Sequence, residues 1–174
     1  METKKTLWKV DPVHSEFTFK VKHMMISTVT GEFEKFDATV ETNGDDFSNA
    51  KVNVDVQVDS IKTKNTDREN HLKSDDFFNA EKYPKITFNS KSFDGETLVG
   101  DLTIRDKTKE IKLDTEFNGI AVDPYGQTKA GFELTGEINR KEFGLMWNAV
   151  TEAGNVVVSE KVKIAVNIQF VKQK

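Results

Sequence analysis

The stretch Ala50–Asp59, AKVNVDVQVD, decides the fold. Val52, Val54, Val56 and Val58 share one parity, and Lys51, Asn53, Asp55 and Gln57 share the other. This is the period of a strand with one dry and one wet face. The alternation recurs in KITFNS with Ile86 and Phe88, in LVGDLTIRD with Leu98, Leu102 and Ile104, and in EIKLDTEF with Ile111, Leu113 and Phe117. AGFELTGEINR brings Phe132, Leu134, Ile138 and Arg140 into one register, and EKVKIAVNIQF does the same for Val162, Ile164, Val166, Ile168 and Phe170. Near the other end, DPVHSEFTFKVKHMMISTVTGEF (residues 11–33) sets Phe17, Phe19, Val21 and His23 on one face, so that a histidine points with the phenylalanines.

Turn-forming residues fall between these segments at Asn43-Gly44-Asp45, Asp94-Gly95, Asp106-Lys107 and Asp123-Pro124-Tyr125-Gly126, as an antiparallel meander requires. Between Gly31 and Val40 the apolar parity shifts from Phe33 to Phe36 and Ala38, which predicts a bulge or strong bend within a strand. One segment departs from the period of two. Thr66, followed by Glu69 three residues later, predicts a capped short helix over Thr66–Lys73. Leu72, Phe77, Phe78 and Tyr83 are then expected to cover one end of the sheet, and residues 144–154 form the second non-strand candidate. A mostly antiparallel sheet with one wet face is completed by closing on itself, which removes its exposed edges. The predicted fold is mainly all-β: a single antiparallel β-barrel of about eight strands with one or two short helices.

The composition agrees. A chain of 174 residues without a composition break reads as one domain over residues 1–174, with its core from about residue 8 to 170. Thirteen phenylalanines supply core material, and a charged fraction of 31% supplies a solvated outer surface. The formal charge of −4 is spread over interspersed lysines and acids, so no basic stripe offers itself to nucleic acid. The absence of cysteine excludes disulfides, thiolate catalysis and cysteine-based zinc sites. METKKTLWKVDPVHS lacks the apolar core of a secretory signal, and no run approaches the ~18 apolar residues of a spanning helix, so a cytoplasmic protein with no integral membrane segment is expected. A periplasmic protein shorn of its signal would read the same way.

The motifs Asp11-Pro12-x-His14-Ser15, Phe19-x-Val21-Lys22-His23, Gly31-x-Phe33 and Ser60-Ile61-x-Thr63 open a series along the chain. It continues through His71-Leu72-x-Ser74-x-Asp76-Phe77-Phe78, Tyr83-Pro84-x-Ile86-Thr87-Phe88-x-Ser90, Gly100-Asp101-Leu102-Thr103-Ile104 and Arg140-x-Glu142-Phe143-Gly144. In order and spacing this series resembles the YceI family of lipocalin-like lipid-binding proteins, from about Trp8 to Phe170. Two departures stand out: Asp106-Lys107 where the family commonly has Gly and an apolar residue, and the lack of a signal where many relatives look exported.

The resemblance implies a lipocalin-like barrel that binds, and carries or stores, a long apolar amphiphile without changing it chemically. The ligand would be a polyisoprenoid, an isoprenoid quinone or its precursor, or a fatty-acid-like lipid, with no cofactor and no metal. Such a tail gains about 0.8 kcal/mol per buried methylene before ordering and association costs. The candidate apolar wall is Phe17, Phe19, Val21, Phe36, Val54, Val56, Phe88, Leu102, Ile104, Phe132, Leu134 and Trp147, although Trp8 and Trp147 read equally as packing. The candidate polar end is His14, His23 and Arg140, facing a phenol, quinone, phosphate or carboxyl headgroup. Taken alone, His23 reads first as a core histidine satisfied by a carbonyl. An inward arginine needs a carboxylate, carbonyls or a ligand, and Glu160 is one candidate partner.

Two other function classes compete. A hydrolase or lyase would use the His14, His23 and Arg140 cluster, but the chain carries no HExxH, no Gly-rich phosphate loop and no nucleophile elbow. A stress-related protein-interaction module would use the outer sheet face, whose dispersed Lys, Glu and Asp residues read as a solvated surface. A homodimer is compatible with the sequence.

Overall fold

The computed structural model describes residues 5–147 and 158–173. Within them the chain forms eleven strands: β1 (Lys5–Val10), β2 (Glu16–His23), β3 (Ser27–Phe33), β4 (Phe36–Asn43), β5 (Asp46–Gln57), β6 (Ile61–Lys62), β7 (Lys85–Phe93), β8 (Thr97–Ile104), β9 (Lys107–Val122), β10 (Thr128–Asn139) and β11 (Val158–Lys172). One helix, α1, spans Thr66–Lys73. No helix among the described residues is long and apolar enough to cross a membrane.

Eight strands run antiparallel in the order β1-β4-β5-β7-β8-β9-β10-β11, and the pairing of β1 with β11 closes the ring. The alternating valines of β5 pair with Val40, Ala38 and Phe36 on one side and, from Val54 onward, with Phe88 and Ile86 on the other. Their dry faces therefore meet inside the barrel. β11 has 15 residues, long enough to hold two partners in succession. Near its C-terminus Phe170 faces Val10 of β1, whereas further back Val166 and Val162 face Phe17 and Val21 of β2. β2 then pairs with β3, and β3 with β6, which follows β5 after a 3-10 turn at Val58–Ser60. The wall thus forks at β11, and the β2-β3-β6 branch lengthens the barrel beyond the eight-strand ring.

The parity shift between Gly31 and Val40 is a corner between two strands, not a bulge within one. β3 belongs to the branch and β4 to the ring, so the chain changes layer across Glu34 and Lys35. The corner is pinned by Lys35 N–H donating to Ser60 Oγ at 3.0 Å and by Gln57 N–H donating to Lys35 O at 2.9 Å. The helix lies where the sequence predicts it, but its cap is one residue earlier. Asn65 accepts from Arg68 N–H, while the Glu69 carboxylate accepts from Thr63 N–H at 3.1 Å and ties the helix to the end of β6.

Gly31 and Gly100 let aromatic rings lie flat on the wall. A Cβ at Gly31 would overlap the Phe19 ring, and one at Gly100 the Phe88 ring. Both rings lean against glycine backbone instead of standing across the barrel, which leaves its centre open.

Candidate functional site

The open centre is a cavity of about 360 Å³, within the range of small-molecule pockets. Its floor is aromatic. Phe47 packs against Trp8 and Phe132 at centroid distances of 5.0 Å, and Phe132 continues to Phe170 at 6.1 Å. Beneath it Trp8 is fully buried and donates from Nε1 to Thr42 Oγ1 at 2.9 Å, which satisfies the one polar atom of its ring.

The walls match the inward parity of the strands. Phe17, Phe19, Val21, Val54, Val56, Phe88, Leu102, Ile104, Phe132, Leu134 and Trp147 all line the cavity. Phe36 does not. Its ring packs on Phe17 at 4.5 Å and is used up in the wall where the branch meets the ring. Leu72, Phe77 and Phe78 line the cavity from α1 and the segment after it, whereas Tyr83 stands outside with the Arg105 guanidinium 5.5 Å from its ring.

The end opposite the floor is the mouth, built from the last residue of β2, the start of β11, α1 and the segment after β10. Trp147 closes over it with its ring 4.6 Å from His71 and 5.4 Å from Phe77. Two arginines hold this loop from either side. Arg105 donates to Phe77 O and Asp75 O at 3.0 Å and to Gly144 O at 3.4 Å. Arg140 is 2% exposed and donates to Leu145 O at 2.6 Å, Trp147 O at 2.7 Å, Ser159 O at 2.8 Å and Val158 O at 3.2 Å.

Three sequence expectations change here. Arg140 lines the cavity but its donors are taken by main-chain carbonyls, because the strand ends at Asn139 and the arginine opens a 3-10 turn. Burial pushes its guanidinium down from its ordinary value, and the charge of Glu160 works against that shift. Glu160 is nonetheless not its contact partner, since its carboxylate takes Lys141 Nζ at 3.0 Å. His14 does not join His23. It sits in the 3-10 turn before β2, while His23 ends that strand, so the length of β2 separates them by about 25 Å. The exposed His14 ring bonds Asp11 Oδ2 at 2.8 Å, the same oxygen that takes Lys129 Nζ at 2.7 Å, at the floor end of the barrel. The second non-strand segment is seen as a 3-10 turn and the loop through Trp147; residues 148–154 lie outside the described residues.

His23 lines the cavity at the mouth, with no hydrogen bond to its ring among the described residues. It is joined by residues outside the expected polar end, Arg68 and His71 from α1, whereas the exposed Lys22 holds the wet parity of β2 and donates from Nζ to Thr28 Oγ1 at 3.1 Å on the outer face. The His71 ring bonds Asp76 at 2.9 Å, but Arg68 makes no ion pair among the described residues. Among the described residues the ionisable side chains that face the cavity are therefore basic: His23, Arg68, His71 and Arg140. In a chain of net charge −4 this is a local inversion. The spacing of Arg68, His71 and Leu72, three and four residues apart on a helix, is the signal that would have placed them on one face. Among the described residues no three His, Asp or Glu side chains are grouped to hold a metal ion. An apolar pocket with a basic rim can take up an oily chain and retain an acidic end group.

Comparison with known proteins follows the same lines. The YceI-like domain pattern matches residues 8–170. A UPF0312 protein of Staphylococcus aureus is 42% identical over 166 residues, 95% of this chain and 97% of that one. A crystal structure of the Campylobacter jejuni YceI protein superposes with a TM-score of 0.74 at 33% identity, covering 88% of this chain and 90% of that one. A polyisoprenoid binding domain from Saccharophagus degradans, implicated in plant cell wall breakdown, shares the fold with a TM-score of 0.73 at 14% identity, covering 95% of this chain and 98% of that one.

Proposed function

Because this chain belongs to the YceI-like family, we propose that its barrel binds a long apolar chain carrying an acidic headgroup, such as a polyprenyl phosphate or a long-chain carboxylate, and carries or stores it unchanged. The observation that carries this reading is the pairing of an apolar cavity with a mouth whose ionisable lining residues, among those described, are basic. The tail supplies affinity through buried area. Arg68 and His23 supply orientation, because a phosphate or carboxylate at the rim gains charge-assisted hydrogen bonds that a hydrocarbon end cannot make. The polyisoprenoid binding domain of Saccharophagus degradans, which shares the barrel, supports the choice of an isoprenoid tail.

The test is displacement of a fluorescent apolar probe from the purified protein by a polyprenyl phosphate and by the polyprene hydrocarbon of the same length. The phosphate is expected to bind about tenfold more tightly. Replacing Arg68 with Gln and His23 with Leu should remove that difference while leaving hydrocarbon binding intact. Equal affinity of the wild type for both compounds would overturn the headgroup assignment, and failure of both to displace the probe would overturn the lipid reading. Mass spectrometry of an organic extract of the protein purified from its own cells would identify the compound.

A further inference from the structure

The hairpin joining β2 to β3 carries its apex in an unusual form. Ile26 N–H donates to His23 O at 3.2 Å to close a turn whose central residues, Met24 and Met25, both have positive φ, 52° and 59°. Positive φ at both central positions is the mark of type I′ turns, which favour Asn-Gly because side chains with a Cβ are strained there. Two methionines occupy it instead, and they do not turn inward: Met24 is 37% exposed, Met25 61% and Ile26 80%. The apex thus opposes local stability in both backbone and solvation.

Its surroundings indicate what covers it. From Phe17 to Gly31 the hairpin contains Lys20, Lys22 and His23 and no acidic residue, in a chain whose acids outnumber Lys and Arg by 29 to 25. Apolar residues at the tip with lysines on the strand just behind them fit a lipid surface, where the tip enters the acyl boundary and the lysines meet anionic headgroups. The hairpin is also continuous with the mouth, since His23, the residue before Met24, lines the cavity. At the same end Met146, 59% exposed, precedes Trp147 of the closing loop.

We propose that the Met24-Met25-Ile26 apex is a membrane-docking tip that seats the mouth of the barrel on an anionic lipid bilayer, so that the apolar ligand passes between bilayer and cavity without crossing water. The role as a loading port rests on the lipid-binding reading above, whereas bilayer docking by the tip does not.

The experiment is flotation of the protein with vesicles of phosphatidylcholine and phosphatidylglycerol, compared with vesicles of phosphatidylcholine alone. The key variant is Met24→Asn/Met25→Gly, which installs the residues the turn prefers and should melt at the same temperature or higher. The wild type is expected to float with the mixed vesicles, less so at high salt, and the variant to lose about tenfold in partitioning. Both should take up a polyprenyl phosphate delivered from cyclodextrin. A variant that floats as well as the wild type overturns the proposal, as does a wild type that ignores both vesicle types, the result expected if the apex serves a protein partner. If both forms reject the cyclodextrin-delivered ligand while only the wild type floats, the docking tip stands and the lipid-carrying reading fails.

Discussion

Arg140 and Trp147 are joined through a 2.7 Å hydrogen bond from the buried guanidinium to the tryptophan carbonyl, so the arginine fixes the loop whose ring closes the cavity mouth. Replacing it with Met would leave carbonyls of Leu145, Trp147 and Ser159 without their donor in a buried setting. Arg140→Met is expected to lower stability by about 3 kcal/mol, read by urea unfolding. It should also weaken binding of hydrocarbon and headgroup ligands alike, because it loosens the mouth and does not remove a headgroup contact. Selective loss of the headgroup ligand with unchanged unfolding would show that the guanidinium faces the ligand.

Acid should release the floor end of the barrel. Burial on its own raises the Asp11 carboxyl, but hydrogen bonds from Lys129 and His14, together with their charges, overcome it and hold the group at about 2 against an ordinary 3.8. A carboxyl depressed on folding stabilises the native state above its unfolded value and loses that contribution as pH falls from about 4 towards 2. After screening, the contribution is about 1–2 kcal/mol. Asp11→Asn should therefore be less stable than wild type at pH 7, with the gap closing in that acid window. Parallel unfolding curves at all pH values would remove the ion pair from the stability account.

Gly31→Ala should act on the cavity from the wall. The added methyl group overlaps the Phe19 ring, which must swing off the backbone into the open space. Stability is expected to fall by about 1–3 kcal/mol, and capacity for a long apolar ligand should fall with it. Thermal melting and probe titration on one sample would report both.

Leu134→Trp places added bulk into the void directly, since Leu134 lines it from β10. A large apolar void forfeits packing that a larger side chain can recover. The ligand-free variant should melt no lower than the wild type while losing most of its apolar probe binding. Undiminished binding would mean that the ligand does not use this part of the barrel.

Period-two patterning made the ring legible, because Val52 to Val58 and the matching series in β8, β10 and β11 each state which face is dry. It could not show the fork. Whether β11 takes β1 or β2 as its neighbour depends on registers between residues about as far apart as the chain allows, and no local pattern encodes them. The same limit explains the polar end. Inward parity correctly brings His23 to the cavity, but His14 precedes the strand and falls at the opposite end of the barrel. Arg140 follows the parity of β10 on paper, yet it lies just past the strand, where turn geometry aims it at carbonyls. Arg68 comes from the one helix, whose placement over the mouth is tertiary.

The fork at β11 also sets an order of events during synthesis. β1 and β2 both wait for the last of these eleven strands, with Trp8 opposite Lys172 and Phe17 opposite Val166. Until β11 emerges, the meander from β4 to β10 can form hairpins but cannot close, and two open edges stand exposed. Such long-range pairing makes folding slow and leaves the nascent chain prone to edge-to-edge association. A chain cut just before Phe170 would lose the seam between β1 and β11 and the Lys129 and Ala130 end of the β10 pairing while keeping the pairing of β11 with β2, and it should accumulate as aggregates even though the residues that line its cavity are nearly all present.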